Sequence, residues 1–248
     1  MIKIKSFGSG SDGNCYIVSD GTTNIMLECG VNYTYMMSCL RKIGISITNI
    51  RACLVSHVHS DHCSCINYIA NYDIPIICTK QTKEKKLSKF KNKDIKLLDE
   101  YNNIIIIGSI QIMPLKVYHG DADCYGFIFH DKDDTILFLT DFSVMKYDLS
   151  NLKFTKVYIE TNYNDNVIDK LLMQEDDSKF IKYKRQITVH CSLDNAIRYL
   201  KSFDLSKCTK IVGIHLSKEL IDSTTVKIQI QQQLAIPTYC INSKGEEI

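Results

Sequence analysis

The chain has 248 residues, 45% of them hydrophobic, and a formal net charge of +2. That length and apolar content are enough for a sizeable core. The near-neutral balance excludes a global attraction for nucleic acid, so any anionic substrate has to be held by a local site. Eleven cysteines without a CxxC pair suit reduced, mostly buried thiols and exclude a small secreted disulfide scaffold. No apolar run approaches the roughly 18 residues of a membrane span. No charged-then-apolar leader precedes Ile2 and Ile4, so a cytoplasmic protein without a membrane partner is expected.

Short apolar runs of strand length recur in chain order: Cys15 to Val18, Ile25 to Leu27, Ala52 to Val55, Ile74 to Cys78, Ile104 to Ile107, Ile136 to Leu139, Val157 to Ile159 and Ile211 to Ile214. Many are β-branched. Helical spacing appears at Tyr33, Met36, Met37 and Leu40, at Ala196, Ile197, Leu200 and Phe203, and from Lys218 to about Gln232. The turn Ser19-Asp20-Gly21 joins early strands as an antiparallel hairpin, and later strands alternate with helices. This mixture predicts a layered α/β architecture with two central sheets. No linker divides the chain, which is read as one domain over 1–248.

The segment Leu54-Val55-Ser56-His57-Val58-His59-Ser60-Asp61-His62 places four candidate metal ligands within six positions at the end of an apolar strand. His57 and His59 lie two apart, so an extended backbone turns them to one side. Asp61 and His62 follow, where a turn into a helix can aim them at a neighbouring point. Imidazole with carboxylate suits zinc, manganese or iron. Three of the seven histidines fall in this stretch, which is more than a solvated loop would collect by chance.

The pattern His-x-His-x-Asp-His resembles the signature of the metallo-β-lactamase superfamily, which implies a four-layer αββα sandwich and further ligands in a fixed order. His119 follows Val117-Tyr118, Asp141 follows Leu137 to Thr140, and His215 follows Ile211 to Ile214. Taken singly, His119 would suit a core or surface position and Asp141 a helix N-cap; the ordered set reverses both. His130, in His130-Asp131-Lys132-Asp133-Asp134, matches nothing and is read as a hairpin turn. The resemblance implies that His57, His59 and His119 hold one divalent transition-metal ion, zinc or manganese. Asp61, His62 and His215 hold a second, and Asp141 bridges the two. Two such ions about 3.5–4 Å apart can activate a shared hydroxide, with Asp61 orienting the water.

The opening Ser6 to Tyr16, a Gly/Ser loop ending Asn14-Cys15-Tyr16, is similar to the start of the WalJ (YycJ)-like branch, which is linked to nucleic-acid hydrolysis. On pattern alone it is either a flexible hairpin or backbone approaching a metal or substrate. The likeness continues through Thr140-Asp141, Ile159-Glu160 and Ile214-His215-Leu216-Ser217. Glu160 ends a strand and His190 precedes Cys191 to Ala196, a helix start. In the tRNA 3′-processing endonucleases of the superfamily a Glu and a His in similar contexts cooperate. The His protonates the leaving oxygen and the Glu orients it, as an alkoxide leaving group requires.

Three positions depart from the superfamily pattern: Glu28 where Asp is usual, Cys65 in place of a glycine, and Ser143 where a glycine often follows the bridging Asp. None removes a ligand. The lysine-rich run Lys80 to Lys96, with Phe90 its only aromatic, is either a solvated helix or a face that tracks a phosphate backbone.

The expected activity is that of a phosphodiesterase or nuclease acting on nucleic acid or a nucleotide, as a monomer or homodimer. Three other readings compete. A glyoxalase II-like thioester hydrolase shares the metal motif but does not require the Glu160–His190 pair. A phage or mobile-element phosphodiesterase acting on cyclic nucleotides would use the same chemistry in a smaller pocket. A non-enzymatic metal-binding module would be favoured by a missing ligand, and none is missing. A secreted antibiotic-cleaving lactamase is disfavoured by Asp141, where that class has a Cys ligand.

Overall fold

The computed structural model describes residues 1–91, 93–99, 104–173 and 177–247. One sheet holds β1 (Lys3–Gly8), β2 (Cys15–Ser19), β3 (Asn24–Leu27), β4 (Ile50–Leu54), β5 (Ile76–Cys78) and β6 (Ile95–Leu97), in chain order. β1, β2 and β3 pair antiparallel, and β3 to β6 pair parallel. The second sheet is built from β7 (Ile105–Ile107), β8 (Ile110–His119), β9 (Ala122–His130), β10 (Thr135–Leu139), β11 (Val144–Met145), β12 (Lys156–Glu160), β13 (Lys210–Ile214) and β14 (Thr238–Cys240). Its order is β11-β8-β9-β10-β12-β13-β14, with β7 also paired to β8. Strands β10, β12, β13 and β14 run parallel. The apolar runs are therefore strands, and both Ser19-Asp20-Gly21 and His130 to Asp134 are hairpin turns.

The unbroken apolar character of these strands follows from burial on both faces. In β2, Tyr16 and Val18 enter the core between the sheets, whereas Cys15 and Ile17 face outward under helices. In the other sheet Ile136, Phe138 and Tyr158 point into the same central core, and Leu137, Leu139, Val157 and Ile159 point away from it. The outer face of the first sheet is covered by α1 (Tyr33–Lys42) through Met36, Cys39 and Leu40. The short helices α2 (Ser60–Cys63) and α3 (Ile66–Ile69) extend that cover. A further short helix, α4 (Lys80–Lys86), follows β5. Helices α5 (Asp165–Leu172) and α6 (Asp177–Val189) follow β12. The outer face of the second sheet is covered by α7 (Leu193–Ser202) through Leu193, Ala196, Ile197 and Leu200, and by α8 (Ser223–Leu234) through Val226 and Ile230. Helix, sheet, sheet, helix is the expected αββα order. Ten of the eleven cysteines are buried and all are unpaired.

Two helix boundaries differ from the spacing-based expectation. The last helix begins at Ser223 and not at Lys218, because Asp222 accepts a hydrogen bond from Thr225 N at 2.8 Å and acts as its N-cap. The preceding residues run as a connection that pairs with the stretch after β12, Ser217 N donating to Asn162 O at 2.9 Å and Asn164 N to Leu220 O at 3.1 Å. The lysine run is not one helix either. α4 stops at Lys86, the buried Leu87 caps it, and the chain turns back into β6.

Candidate metal centre

The chemistry-bearing side chains meet on one rim, at the C-terminal ends of strands that run in the same direction. Glu28 follows β3, Ser56 to His62 follow β4, His119 ends β8, Asp141 follows β10, Glu160 ends β12 and His215 follows β13. Three of them hold left-handed backbone, Glu28 at φ 62°, Asp141 at φ 50° and His215 at φ 53°. Asp and His visit that region more readily than Glu. Such strain costs about 1–3 kcal/mol a residue and persists only where the surroundings enforce it. Here the enforcing contacts are Glu28 N to Leu54 O at 2.8 Å and His215 N to Ser9 Oγ at 2.9 Å.

His57, His59 and His119 form the first group. His57 Nε2 lies 3.0 Å from His59 Nδ1, which lies 3.2 Å from His119 Nε2. Nitrogens bound at about 2.0–2.1 Å to one tetrahedral ion stand about 3.4 Å apart, so this spacing fits a shared cation. The outward nitrogens are held, His57 Nδ1 by Ser56 Oγ at 2.9 Å and His119 Nδ1 by the Val189 carbonyl at 2.7 Å. Such second contacts fix tautomer and ring orientation. Burial holds His57 well below the ordinary imidazole pKa and lowers His59 and His119 as well, leaving neutral rings ready to ligate.

Asp61, His62, Asp141 and His215 form the second group. His62 Nε2 lies 2.8 Å from Asp141 Oδ2 and 3.4 Å from Asp61 Oδ2. His215 Nε2 stands 3.4 and 3.5 Å from the same two oxygens, and it is buried without a hydrogen bond. Burial disfavours charge on these rings, but the carboxylates outweigh it. Asp141, Glu28 and Asp61 hold His62 well above the ordinary value, and Asp141, Asp61 and Glu160 push His215 up to about 10. The carboxylates thus gather positive charge, which a divalent ion can supply in place of protons. Asp141 faces both groups, with Oδ1 3.7 Å from His119 Nε2 and Oδ2 toward His62 and His215. The donor set of both groups fits divalent transition metals.

Glu160 and His190 stand beside this cluster. Glu160 is fully buried, and its Oε1 meets His190 Nδ1 at 2.7 Å and His215 Nδ1 at 3.2 Å. Its Oε2 accepts from Phe142 N at 2.9 Å and Cys191 N at 3.2 Å. Burial works against the charged carboxylate, but His190 and His215 lower its pKa overall. His190 Nδ1 is also 3.5 Å from Asp141 Oδ1. With Nδ1 engaged by Glu160, the other ring nitrogen of His190 is left for the cleft, whose wall the residue lines.

The Gly/Ser loop packs against the His/Asp cluster through the buried Asn14, while Ser11 and Asp12 at its tip are exposed. Asn14 N donates to Asp61 O at 2.7 Å, and Asn14 Nδ2 lies 3.0 Å from His62 Nε2. Gly30 packs so closely that a Cβ there would sit 1.7 Å from Asp61 O. Three supports surround the ligands, of which sequence reasoning singled out only Glu28, as a departure in residue type and not as a contact of His62. Glu28 reaches His62 Nδ1 at 3.5 Å while accepting from Ser56 N, and its signal was a lone acid closing the run Asn24-Ile25-Met26-Leu27. Asn162 donates to the His215 carbonyl at 2.9 Å. The helices α5 and α6, with apolar residues Ile168, Leu171, Leu172, Tyr183 and Ile187 at helical spacing, bring Lys182, Arg185 and Gln186 to a cleft of ≈ 480 Å³ that His59, Asp61 and the buried Asp141 also line.

A family model described as the anti-Pycsar protein Apyc1 matches residues 5–74, which include the Gly/Ser loop and the His57 to His62 motif. An exodeoxyribonuclease YycJ from Bacillus anthracis is 24% identical over 136 residues, 54% of this chain and 52% of that protein. The chain thus spans about half the length of that curated relative. Among solved structures, the metallo-β-lactamase fold protein YhfI from Bacillus subtilis superposes with a TM-score of 0.75 at 15% identity, covering 100% of this chain and 98% of that one. The short form of human tRNase Z gives 0.60 at 14% identity, covering 87% and 93%. No helix among the described residues is long and apolar enough to cross a membrane. The αββα order and these superpositions show that the chain has the metallo-β-lactamase fold, with its histidines and carboxylates gathered on one rim.

Proposed function

We propose that the protein is a metal-dependent phosphodiesterase of nuclease type working with two ions, zinc or manganese. His57, His59 and His119 hold one, Asp61, His62 and His215 the other, and Asp141 links them. Divalent ions held by these residues would supply Lewis acidity toward phosphoryl oxygens and lower the pKa of water. The observation that carries the choice of bond is the Glu160–His190 contact at 2.7 Å beside the cluster. A phosphodiester expels an alkoxide, which leaves as the alcohol when a positioned acid protonates it. Glu160 holds the ring by Nδ1 at 2.7 Å and leaves its other nitrogen for the cleft. Asp61, with its side chain 25% exposed, orients the attacking water. Arg185 and Lys182 on the α6 wall supply cationic contacts for the substrate phosphate. The name of the Bacillus anthracis relative, an exodeoxyribonuclease, supports the same class of bond.

The test is a substrate panel with protein reconstituted in zinc or manganese: bis-p-nitrophenyl phosphate, single-stranded DNA and RNA, cyclic nucleotides and a glutathione thioester. Turnover of phosphodiesters is expected. Turnover of the thioester alone would move the protein to the glyoxalase II class.

A further inference from the structure

The lysine run between Lys80 and Lys96 carries eight lysines against Glu84 and Asp94, a net +6, while the remaining 231 residues carry −4. The fold gathers four of these eight lysines around one opening. It turns the chain back after α4, so that Lys80, Lys83, Lys91 and Lys93 surround a cavity of ≈ 400 Å³. The cavity also has apolar walls, from Leu87, Phe90, Ile95 and Leu97. Leu97 keeps 44% of its surface exposed, although burial against the sheet is available to a leucine elsewhere in this fold. Glu84 also lines it, 3.9 Å from Lys80 Nζ, and Lys93 donates to the Tyr72 carbonyl, so the rim is mixed but net basic. An apolar floor under a net basic rim is the chemistry that receives a nucleotide, its base on the floor and its phosphates on the lysines.

The position of the cavity ties it to the metal cluster. Gln81 in α4 donates to Asp121 O at 3.3 Å and accepts from Asp123 N at 3.1 Å, in and just after the tight β8–β9 turn that follows His119. The basic surface therefore stands beside the segment that delivers His119.

We propose that this lysine-rimmed cavity is a docking surface for the backbone of a single-stranded polynucleotide whose scissile bond lies in the metal cleft. The inference rests on the phosphodiesterase reading and narrows it to polymeric substrates, because a mononucleotide held in the cleft would not need a second phosphate site. It also explains how a nearly neutral chain holds a polyanion: the field is local.

The test compares the full chain with Lys80→Gln/Lys83→Gln/Lys91→Gln, both in a His190→Ala background that spares the probe. Binding of fluorescent 20-nucleotide DNA and RNA is followed by anisotropy across a salt series. Each lost contact removes about 0.7 from the log–log salt slope for a single strand, so three should flatten it by about 2 and weaken binding about 100-fold at 0.1 M salt. The DNA and RNA arms tell which backbone is preferred. The same triple substitution with His190 intact should leave bis-p-nitrophenyl phosphate turnover unchanged, which also shows that it folds. Unaltered affinity and slope would overturn the docking surface, as would equally tight binding of a poly-glutamate peptide. If the unsubstituted protein hydrolyses no phosphodiester, the functional reading falls, whereas the anisotropy result judges the surface by itself.

Discussion

Replacing His190 by alanine separates metal holding from catalysis. The side chain is 16% exposed and faces the cleft, and its removal frees one contact of Glu160 Oε1. That oxygen keeps His215 Nδ1 at 3.2 Å, while Oε2 keeps two backbone donors. The carboxylate is therefore not orphaned, and the stability cost should be that of one charge-assisted hydrogen bond, about 1.5–3 kcal/mol. His57, His59, Asp61, His62, His119, Asp141 and His215 remain, so elemental analysis should find the metals retained. Turnover of an oligonucleotide, whose leaving group is a poor alkoxide, should fall by about 10²–10⁴-fold, equivalent to about 3–5 kcal/mol of barrier. A nitrophenyl ester departs without protonation, and its hydrolysis should fall much less. Steady-state kinetics on both substrates reads the difference. Equal loss on both, or loss of one metal, would refute the general-acid role, the second outcome making His190 a ligand in place of His215.

Glu160→Gln should show the same leaving-group selectivity together with weaker metal retention, because Glu160 also holds His215 Nδ1; metal content and the two-substrate comparison distinguish these effects. Asp141→Ala, which removes the carboxylate facing both groups, should leave no more than one metal per chain where the unsubstituted protein binds about two, measured by elemental analysis after reconstitution. Gly30→Ala drives a Cβ to 1.7 Å from Asp61 O. The loop must shift, so a thermal melt should show destabilisation by about 1–3 kcal/mol together with reduced metal content. Arg185→Ala should raise KM for phosphodiesters by about tenfold with little change in kcat, the worth of one charged contact to a phosphate. An unchanged KM would remove Arg185 from the substrate wall.

The covalent order of residues determined the strands, the layered architecture and the list of candidate ligands. A strand buried on both faces must be apolar throughout, and a strand-end loop carrying His57, His59, Asp61 and His62 is too dense in ligand types to be incidental. The proximity of Glu160 to His190, 30 residues apart in the chain, followed from resemblance and was met by a 2.7 Å contact. Other relations have no local signature. Glu28 reads as a substituted aspartate until the sheet sets it against His62. Glu160 reads as a partner of His190 alone until β12 and β13 align and bring His215 to its other side. The lysine run reads as a solvated helix until the turn after Leu87 folds it around a cavity and Gln81 fastens it beside His119. Residue types and their spacing declare which groups can do chemistry. Which of them share one point in space is decided by parallel strands ending on a common rim, because that alignment is a property of the packed sheets and of no single segment.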